Sequence, residues 1–420
     1  MVPELLVPAG GLNQLKTAVR YGADAVYFGL SEYGLRVRAE NFSWNTLRDG
    51  VEFAHARHVK AFLTLNVFAY DNDIDNMAEA ARKAHAYGID AVIMSDPGAI
   101  VAVRNAAPSL SIHLSTQANT MNAHAARFWH EHGVARIVLS RELSLDQIKY
   151  IRRETPDTLE LEVFAHGSVC MAYSGRCILS GYLLGRNANK GDCAQPCRWK
   201  YRLVEETREN LFFPLLEDEG GTDILSAGDL CMIDHLDDLT DAGIQSIKIE
   251  GRMKNEYYVA SVTGAYRRGL NAVREGRYCE AVGSELRSEI EKAGHRNLDT
   301  GFYYGRPEFP GNGGTVAQTM EFAARVLSVM PDALLVEVRN RLIVGDMLEL
   351  MRPEGYTQFV LDEIRLENGS CVDACGTPMA AVVIPFKGHA EQGDIIRGYA
   401  RNHRVGNVTN VNLKETGCIY

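Results

Sequence analysis

One junction recurs through the first 250 residues and limits what the chain can become: a helix-compatible stretch ends on glycine and a short apolar run follows. It appears as YGADAVYFG at Gly22, YGIDAVIMS at Gly88, HGVARIVLS at Gly133 and AGIQSIKIE at Gly243. Glycine closes a helix in the left-handed conformation without steric penalty, and a β-branched run with no polar face suits a strand covered on both sides. Helix and strand in alternation predict a parallel sheet. Eight strand-like runs can be counted, at 4–7, 25–29, 61–66, 91–95, 111–115, 136–140, 159–165 and 246–250. Eight such units close most naturally into a (βα)8 TIM-like barrel. An open doubly wound sheet is the alternative, but no GxGxxG follows the first strand.

The intervening stretches carry one apolar face each, as in Leu12, Leu15 and Val19 or Leu47, Val51 and Ala54. Ser144 and Gln147 have the spacing of a capping box that starts the sixth helix. Active sites of this fold lie where strands end, and here nearly every strand ends on polar residues. They are Asn66, Ser95 with Asp96, His113, Gln117 and Asn119, Arg141 with Glu142, His166, and Glu250 with Arg252. Any one of them could merely satisfy a hydrogen bond of the barrel core; their shared position is the stronger argument. After the second strand Arg36 and Arg38 stand two apart, so an extended loop would turn both guanidinium groups to one side, able to grip a carboxylate or phosphate. The competing reading is a solvated loop.

Four thiols, Cys170, Cys177, Cys193 and Cys197, follow the run LEVFAHGSVC within 28 positions. That run should deliver His166, Gly167 and Cys170 to the mouth of the sheet. Thiolates gathered in this way suit a soft metal centre, iron–sulfur ahead of zinc, since zinc favours tighter C-x2-C knuckles. Buried core cysteines and a disulfide remain the alternatives. The N-terminus lacks a basic leader, and no apolar run reaches the roughly 18–20 residues that span a bilayer. We therefore expect a cytoplasmic protein with no membrane partner. Its formal net charge of −10 excludes a generic polyanion binder. RNA would have to meet a local basic surface, for which Arg36, Arg38, Arg141, Arg252 and Lys254, with Arg198 and Lys200, are the candidates.

Residues 205–222 read as an irregular insertion before the eighth strand, and residues 255–276 as a helix after it. The expected organisation is a barrel domain over 1–275, a helical linker over 276–312, and a small C-terminal β-barrel domain over 313–420, where the texture turns to short alternating strands. Cys371 and Cys375 in that last part have no further cysteine close by in sequence and read as structural or unligated.

The run from Glu162 to Ser180, EVFAHGSVCMAYSGRCILS, resembles the signature of the U32 "peptidase" family. Together with IMSDPG, IHLSTQAN, LSRELSL, CRWKY and SIKIEGR it looks like that family's tRNA 5-hydroxyuridine branch, over most of residues 3–310. The resemblance implies a 4Fe-4S cluster on Cys170, Cys177, Cys193 and Cys197, with Cys231 as a reserve ligand. It also implies hydroxylation at carbon 5 of uridine 34 in tRNA, with prephenate as a required metabolite and without molecular oxygen. On that expectation the barrel mouth takes an anionic metabolite on Arg36, Arg38 or Arg141, beside a base flipped out of the anticodon loop. Asn66, Gln117, Asn119, Arg252 and Lys254 would line the substrate site, and His166 and Glu250, with Arg141, would carry the chemistry. Phe42, Tyr173 and Tyr182 are candidates to stack on the base. The family's historical name leaves a peptidase as the alternative. Against it, there is no HExxH, since the HEH at 130–132 has the wrong spacing, and no GxSxG elbow.

Overall fold

The computed structural model describes residues 2–31, 39–170, 172–173, 177–199, 228–305 and 316–401. These fall into two compact units, one of the chain up to Glu291 with His295–Ala317, the other of Lys292–Gly294 and the chain from Gln318 onward.

In the first unit, strands β1 (Glu4–Pro8), β2 (Ala25–Gly29), β3 (Lys60–Leu65), β4 (Ala91–Met94), β5 (Ser111–Leu114), β6 (Arg136–Val138) and β7 (Glu160–Ser168) pair in sequence order, all parallel. A short β8 (Asp229–Cys231) leaves the series, and β9 (Ser246–Ile249) pairs in parallel with both β7 and β1, which closes an eight-stranded barrel. Helices α1 (Leu12–Arg20), α2 (Trp44–His55), α3 (Asp71–Ala86), α4 (Pro97–Ala106), α5 (Ala123–Glu131) and α6 (Leu145–Arg153) alternate with the strands. A short α7 (Leu179–Leu184) and α8 (Leu236–Asp241) precede β9, and α9 (Glu256–Arg274) follows it. The four junction glycines take the left-handed backbone that the sequence demanded, with φ of 98°, 88°, 85° and 70° at Gly22, Gly88, Gly133 and Gly243. The capping box of α6 is present, Gln147 N–H donating to Ser144 Oγ and Ser144 N–H to Gln147 Oε1.

Part of the stretch expected as a linker, Glu280–Ile290 and Leu298–Asp299, is built into this unit. Helix α10 (Glu280–Ile290) packs on α9, and β10 (Leu298–Asp299) runs parallel to β8. The reason is a buried ion pair: Arg296 donates from its backbone and its guanidinium to Asp229.

Strand register shows what fills the barrel. Residues opposite one another in parallel strands share a face, so the register places Glu4, Leu6, Tyr27, Phe62, Ile93, His113, Arg136, Glu162, Phe164 and Lys248 on one inward face. Half of this interior is ionisable. Arg136 bonds Glu4 at 2.6 Å, Glu160 at 2.7 Å and Glu162 at 3.2 Å, and Lys248 bonds Glu162 at 3.0 Å beneath the Tyr27 ring. Burial alone would raise the Glu4 carboxyl, but Arg136 and Lys60 outweigh it and hold the group below its ordinary value. His113 is held well below its ordinary value by burial and by the cations Arg136, Lys248 and Lys60.

The second unit is antiparallel. Its strands are β11 (Met320–Met330), β12 (Ala333–Val338), β13 (Leu342–Ile343), β14 (Met347–Arg352), β15 (Gly355–Val360), β16 (Ile364–Leu366), β17 (Cys371–Val372), β18 (Ala374–Cys375), β19 (Ala381–Pro385) and β20 (Ile395–Tyr399). Eight of them form one sheet in the order β15-β14-β20-β11-β12-β19-β16-β17, and β13 pairs with β18. Leu334, Val336, Leu350, Ile364, Val382 and Ile396 lie at the centre of its core.

Candidate active site

The inward rows end in hydroxyl and amide groups: Thr64 within β3, then Asn66, Ser95, Ser115 and Ser140 just past their strands, with Glu250 after β9. Thr64 Oγ1 donates to Phe28 O, Asn66 Nδ2 donates to Ser115 Oγ at 3.2 Å, and Ser140 Oγ donates to Asn119 Oδ1 at 2.7 Å. The Tyr27 hydroxyl rises from the layer below to reach Ile249 O at 2.9 Å and Glu250 Oε2 at 3.2 Å. Arg252 lies across the floor, only 4% exposed, with Nη1 donating to Thr64 Oγ1 at 3.0 Å. Gly29 makes room for it, since a Cβ there would stand 2.4 Å from that nitrogen. Arg141 donates to Ser168 O at 3.1 Å, its guanidinium over the Phe164 ring, and Lys254 stands over the Tyr258 ring. The cations at this end are thus engaged with the protein as well as placed at the mouth. Arg36, Arg38 and Lys200 lie outside the described residues.

His166 is a correction. Strand alternation should have turned it inward, two residues after Phe164, but the register with β9 shifts between them, so that Phe164 faces Lys248 and His166 faces Ile249. This bulge turns the imidazole outward onto α9, where it meets the rings of Tyr258 and Tyr266. It is 1% exposed, and burial lowers its pKa to about 3, against the pull of Asp229. A neutral ring sealed from the mouth is no acid–base group for a substrate there. Gly167 completes the bulge with φ of 104°, where a Cβ would lie 2.4 Å from Glu250 O. Gly167→Ala is expected to lower stability by at least about 1–3 kcal/mol, read as a lower urea midpoint.

Hydrogen bonds anchor the backbone through and beyond the bulge. Phe164 O accepts from Tyr303 Oη, Ala165 O from Tyr266 Oη, His166 O from Glu250 N and Ser168 O from Arg141, while β8 pairs antiparallel with residues 166–168. The strand end that launches Cys170 is therefore fixed on all sides. Cys231, the reserve ligand, is opposite His166 in this pairing, fully buried, and burial pushes its thiol up to about 11. It is a protonated core thiol. The Cys231–His166 neighbours also give no peptidase dyad, because no peptide reaches either group.

Cys170 and Cys193 are exposed, Cys177 and Cys197 half-buried, and none of the four is in a disulfide. Ala194 N–H donates to Ser180 Oγ, which folds the Cys193 loop back beside the segment that begins at Cys177. Cys193 Sγ accepts from Gln195 N–H at 3.3 Å. Among the described residues no group of three or more His, Cys, Asp or Glu side chains is arranged to hold a metal ion, these thiols included. The donor set fits a soft metal in kind, but it is not drawn together. Of the stacking candidates, Phe42 is core, 1% exposed and packed on Phe28, whereas Tyr173 and Tyr182 are exposed.

Sequence reasoning missed Tyr27 and the hydroxyl row of Thr64, Ser115 and Ser140. For the two serines the signal was visible, since SIHLS and RIVLS end on them as AVIMS ends on Ser95.

A closed (βα)8 barrel with a polar mouth, a cysteine-bearing excursion from its seventh strand and a separate antiparallel β unit defines the class. Residues 10–312 match the peptidase family U32 and residues 318–397 the peptidase family U32 C-terminal domain. The chain belongs to peptidase family U32. It is 35% identical over 417 residues to tRNA hydroxylation protein P of Escherichia coli, covering 88% of this chain and 90% of that protein. It is 37% identical over 397 residues to tRNA hydroxylation protein P1 of Bacillus subtilis, covering 92% of each. The 23S rRNA 5-hydroxycytidine C2501 synthase of Escherichia coli is 35% identical over 354 residues, which cover 83% of this chain and 52% of that protein.

Proposed function

We propose that this chain is an RNA hydroxylase acting on tRNA, and that it converts the wobble uridine 34 to 5-hydroxyuridine with prephenate as co-substrate. The observation that carries the reading is the likeness, over about nine-tenths of both chains, to proteins named for tRNA hydroxylation. The mouth is consistent with it: a hydroxyl- and amide-lined basin accepts a nucleobase, and Arg141 beside it suits an anion. Glu250, oriented by the Tyr27 hydroxyl, is the proton-transfer group at the mouth. The excursion offers Cys170, Cys177, Cys193 and Cys197 to a 4Fe-4S cluster, whose assembly must bring them together; when bound it would supply electron transfer. Tyr173 and Tyr182 in the same excursion are exposed, and on this reading they stack on RNA bases. The family's peptidase label finds little support: the exposed hydroxyl–imidazole pairs Ser109–His85 and Thr158–His130 stand before β5 and β7, at the end of the barrel away from the mouth.

The test is genetic and chemical. Deleting the gene, in a strain with no second pathway, should remove 5-hydroxyuridine and its derivatives from position 34 by nucleoside mass spectrometry, and the purified protein should bind unmodified tRNA. Unchanged hydroxylation in the deletion strain would defeat the assignment.

A further inference from the structure

The mouth contains two acceptors that the protein leaves unanswered. Asn66 Oδ1, at the end of β3, and Gln117 Oε1, in the turn after β5, are buried and have no hydrogen-bond partner. Most buried polar atoms in folded proteins are paired, so two acceptors left open at one mouth call for a partner. Both residues are tied to one hydroxyl: Ser115 Oγ accepts from Asn66 Nδ2 at 3.2 Å and from Gln117 N–H at 3.3 Å. Ser115 itself is set by its N–H to Met94 O at 2.6 Å, and Asn66 O accepts from Ser95 Oγ at 3.5 Å. The Asn66 amide is thereby held with its nitrogen on Ser115 and its oxygen turned away. Asn66 Oδ1 is thus a fixed acceptor just past a strand end, and the backbone bond to Ser115 sets Gln117 in the turn beside it, the position from which a barrel reads its ligand.

Resting on the tRNA reading above, we propose that Asn66 and Gln117 recognise the target base through its ring N–H. What completes them must be a donor. A carboxylate or phosphate offers only acceptors and would set like dipoles against these oxygens, so the anionic co-substrate belongs on the Arg141 side. A uracil ring carries one N–H, at N3, between two carbonyl groups, whereas cytosine has no N–H at N3 and places its donor one ring position away, in the amine at C4. A buried acceptor left without its donor penalises the wrong base far more than a matched one rewards the right base. Asn66 and Gln117 are therefore specificity-determining residues for uridine, and the orphaned oxygens are the reason.

The experiment measures fluorescence anisotropy with anticodon stem-loop RNA carrying either uridine or 3-methyluridine at the target position, the methyl group replacing the N3 hydrogen. The wild-type protein should bind the uridine RNA at least about tenfold more tightly, the discrimination expected of one buried polar contact. Asn66→Leu and Gln117→Leu should each shrink that preference, and Gln117→Glu, which still presents an acceptor, should keep it even if the leucine variants fold poorly. Equal affinity of the wild type for the two RNAs, or an undiminished preference in both leucine variants, overturns the proposal and leaves the hydroxylase reading standing. Failure to bind either RNA defeats the hydroxylase reading itself, and this proposal with it.

Discussion

Cys193→Ala, purified without oxygen, should lose the brown chromophore and nearly all of the roughly four irons per chain that a 4Fe-4S protein carries. Hydroxylation of tRNA should fall at least about a hundredfold, since a cluster stripped of one of its four protein ligands is open to exchange and loss. Cys193 is the informative position because it is exposed and outside any secondary element, so its removal leaves the barrel intact; it also already receives a backbone N–H on sulfur. Two controls separate ligation from general thiol loss. Cys371→Ala removes an exposed thiol of the second unit, and Cys231→Ala removes a buried, protonated one; both should keep full iron and acid-labile sulfide. Retention of iron in Cys193→Ala would show that the ligand set was chosen wrongly, and loss of iron in Cys231→Ala would give that thiol the role its burial denies it.

How far the fold could be read in advance depended on how local the signal was. The eight barrel strands were legible because each is announced by a glycine-capped helix or a compact apolar run, signals contained within ten residues. Strands β8 and β10 were not, being three and two residues long and held by the ion pair between Asp229 and Arg296, 67 positions apart. The same limit explains the site. Asn66, Gln117, Asn119, Arg141, Glu250 and Arg252 come to the mouth because they follow strands whose phase was already clear. His166 does not, because a one-residue bulge inverts its phase and nothing in LEVFAHG marks it. The charged barrel interior was hidden for a different reason: the pattern of a glycine junction followed by an apolar run reads SIKIE as a strand buried on both faces, which leaves its Lys and Glu unassigned. In fact the outward row is apolar under the helices and the inward row ionic, so one strand carries two chemistries at a period of two.

That ionic interior supports the other large expectation: Arg136→Met should destabilise the barrel by about 3–5 kcal/mol in urea unfolding, the range for breaking one partner out of a buried charge network. Arg136 is 2% exposed and bridges β1, β6 and β7 through Glu4, Glu160 and Glu162. Its loss leaves Glu162 on Lys248 alone and Glu4 on Lys60 alone, with their desolvation no longer offset. The sign of the pH dependence should then invert. In the wild type Glu4 titrates below its ordinary 4.5, so its contribution is complete above that value and is lost as the pH falls through the lower folded value. Without Arg136, burial prevails and raises the Glu4 carboxyl in the folded state. The folded protein then binds more protons than the unfolded chain, and the variant gains stability on going from pH 7 to about pH 5. A triple variant, Arg136→Met with Glu162→Leu and Lys248→Met, removes charge and counter-charge together and should be markedly more stable than Arg136→Met alone. If the single and triple variants unfold at the same urea concentration, the inward charges are solvated rather than buried, and the packed, dry floor beneath the mouth is wrong.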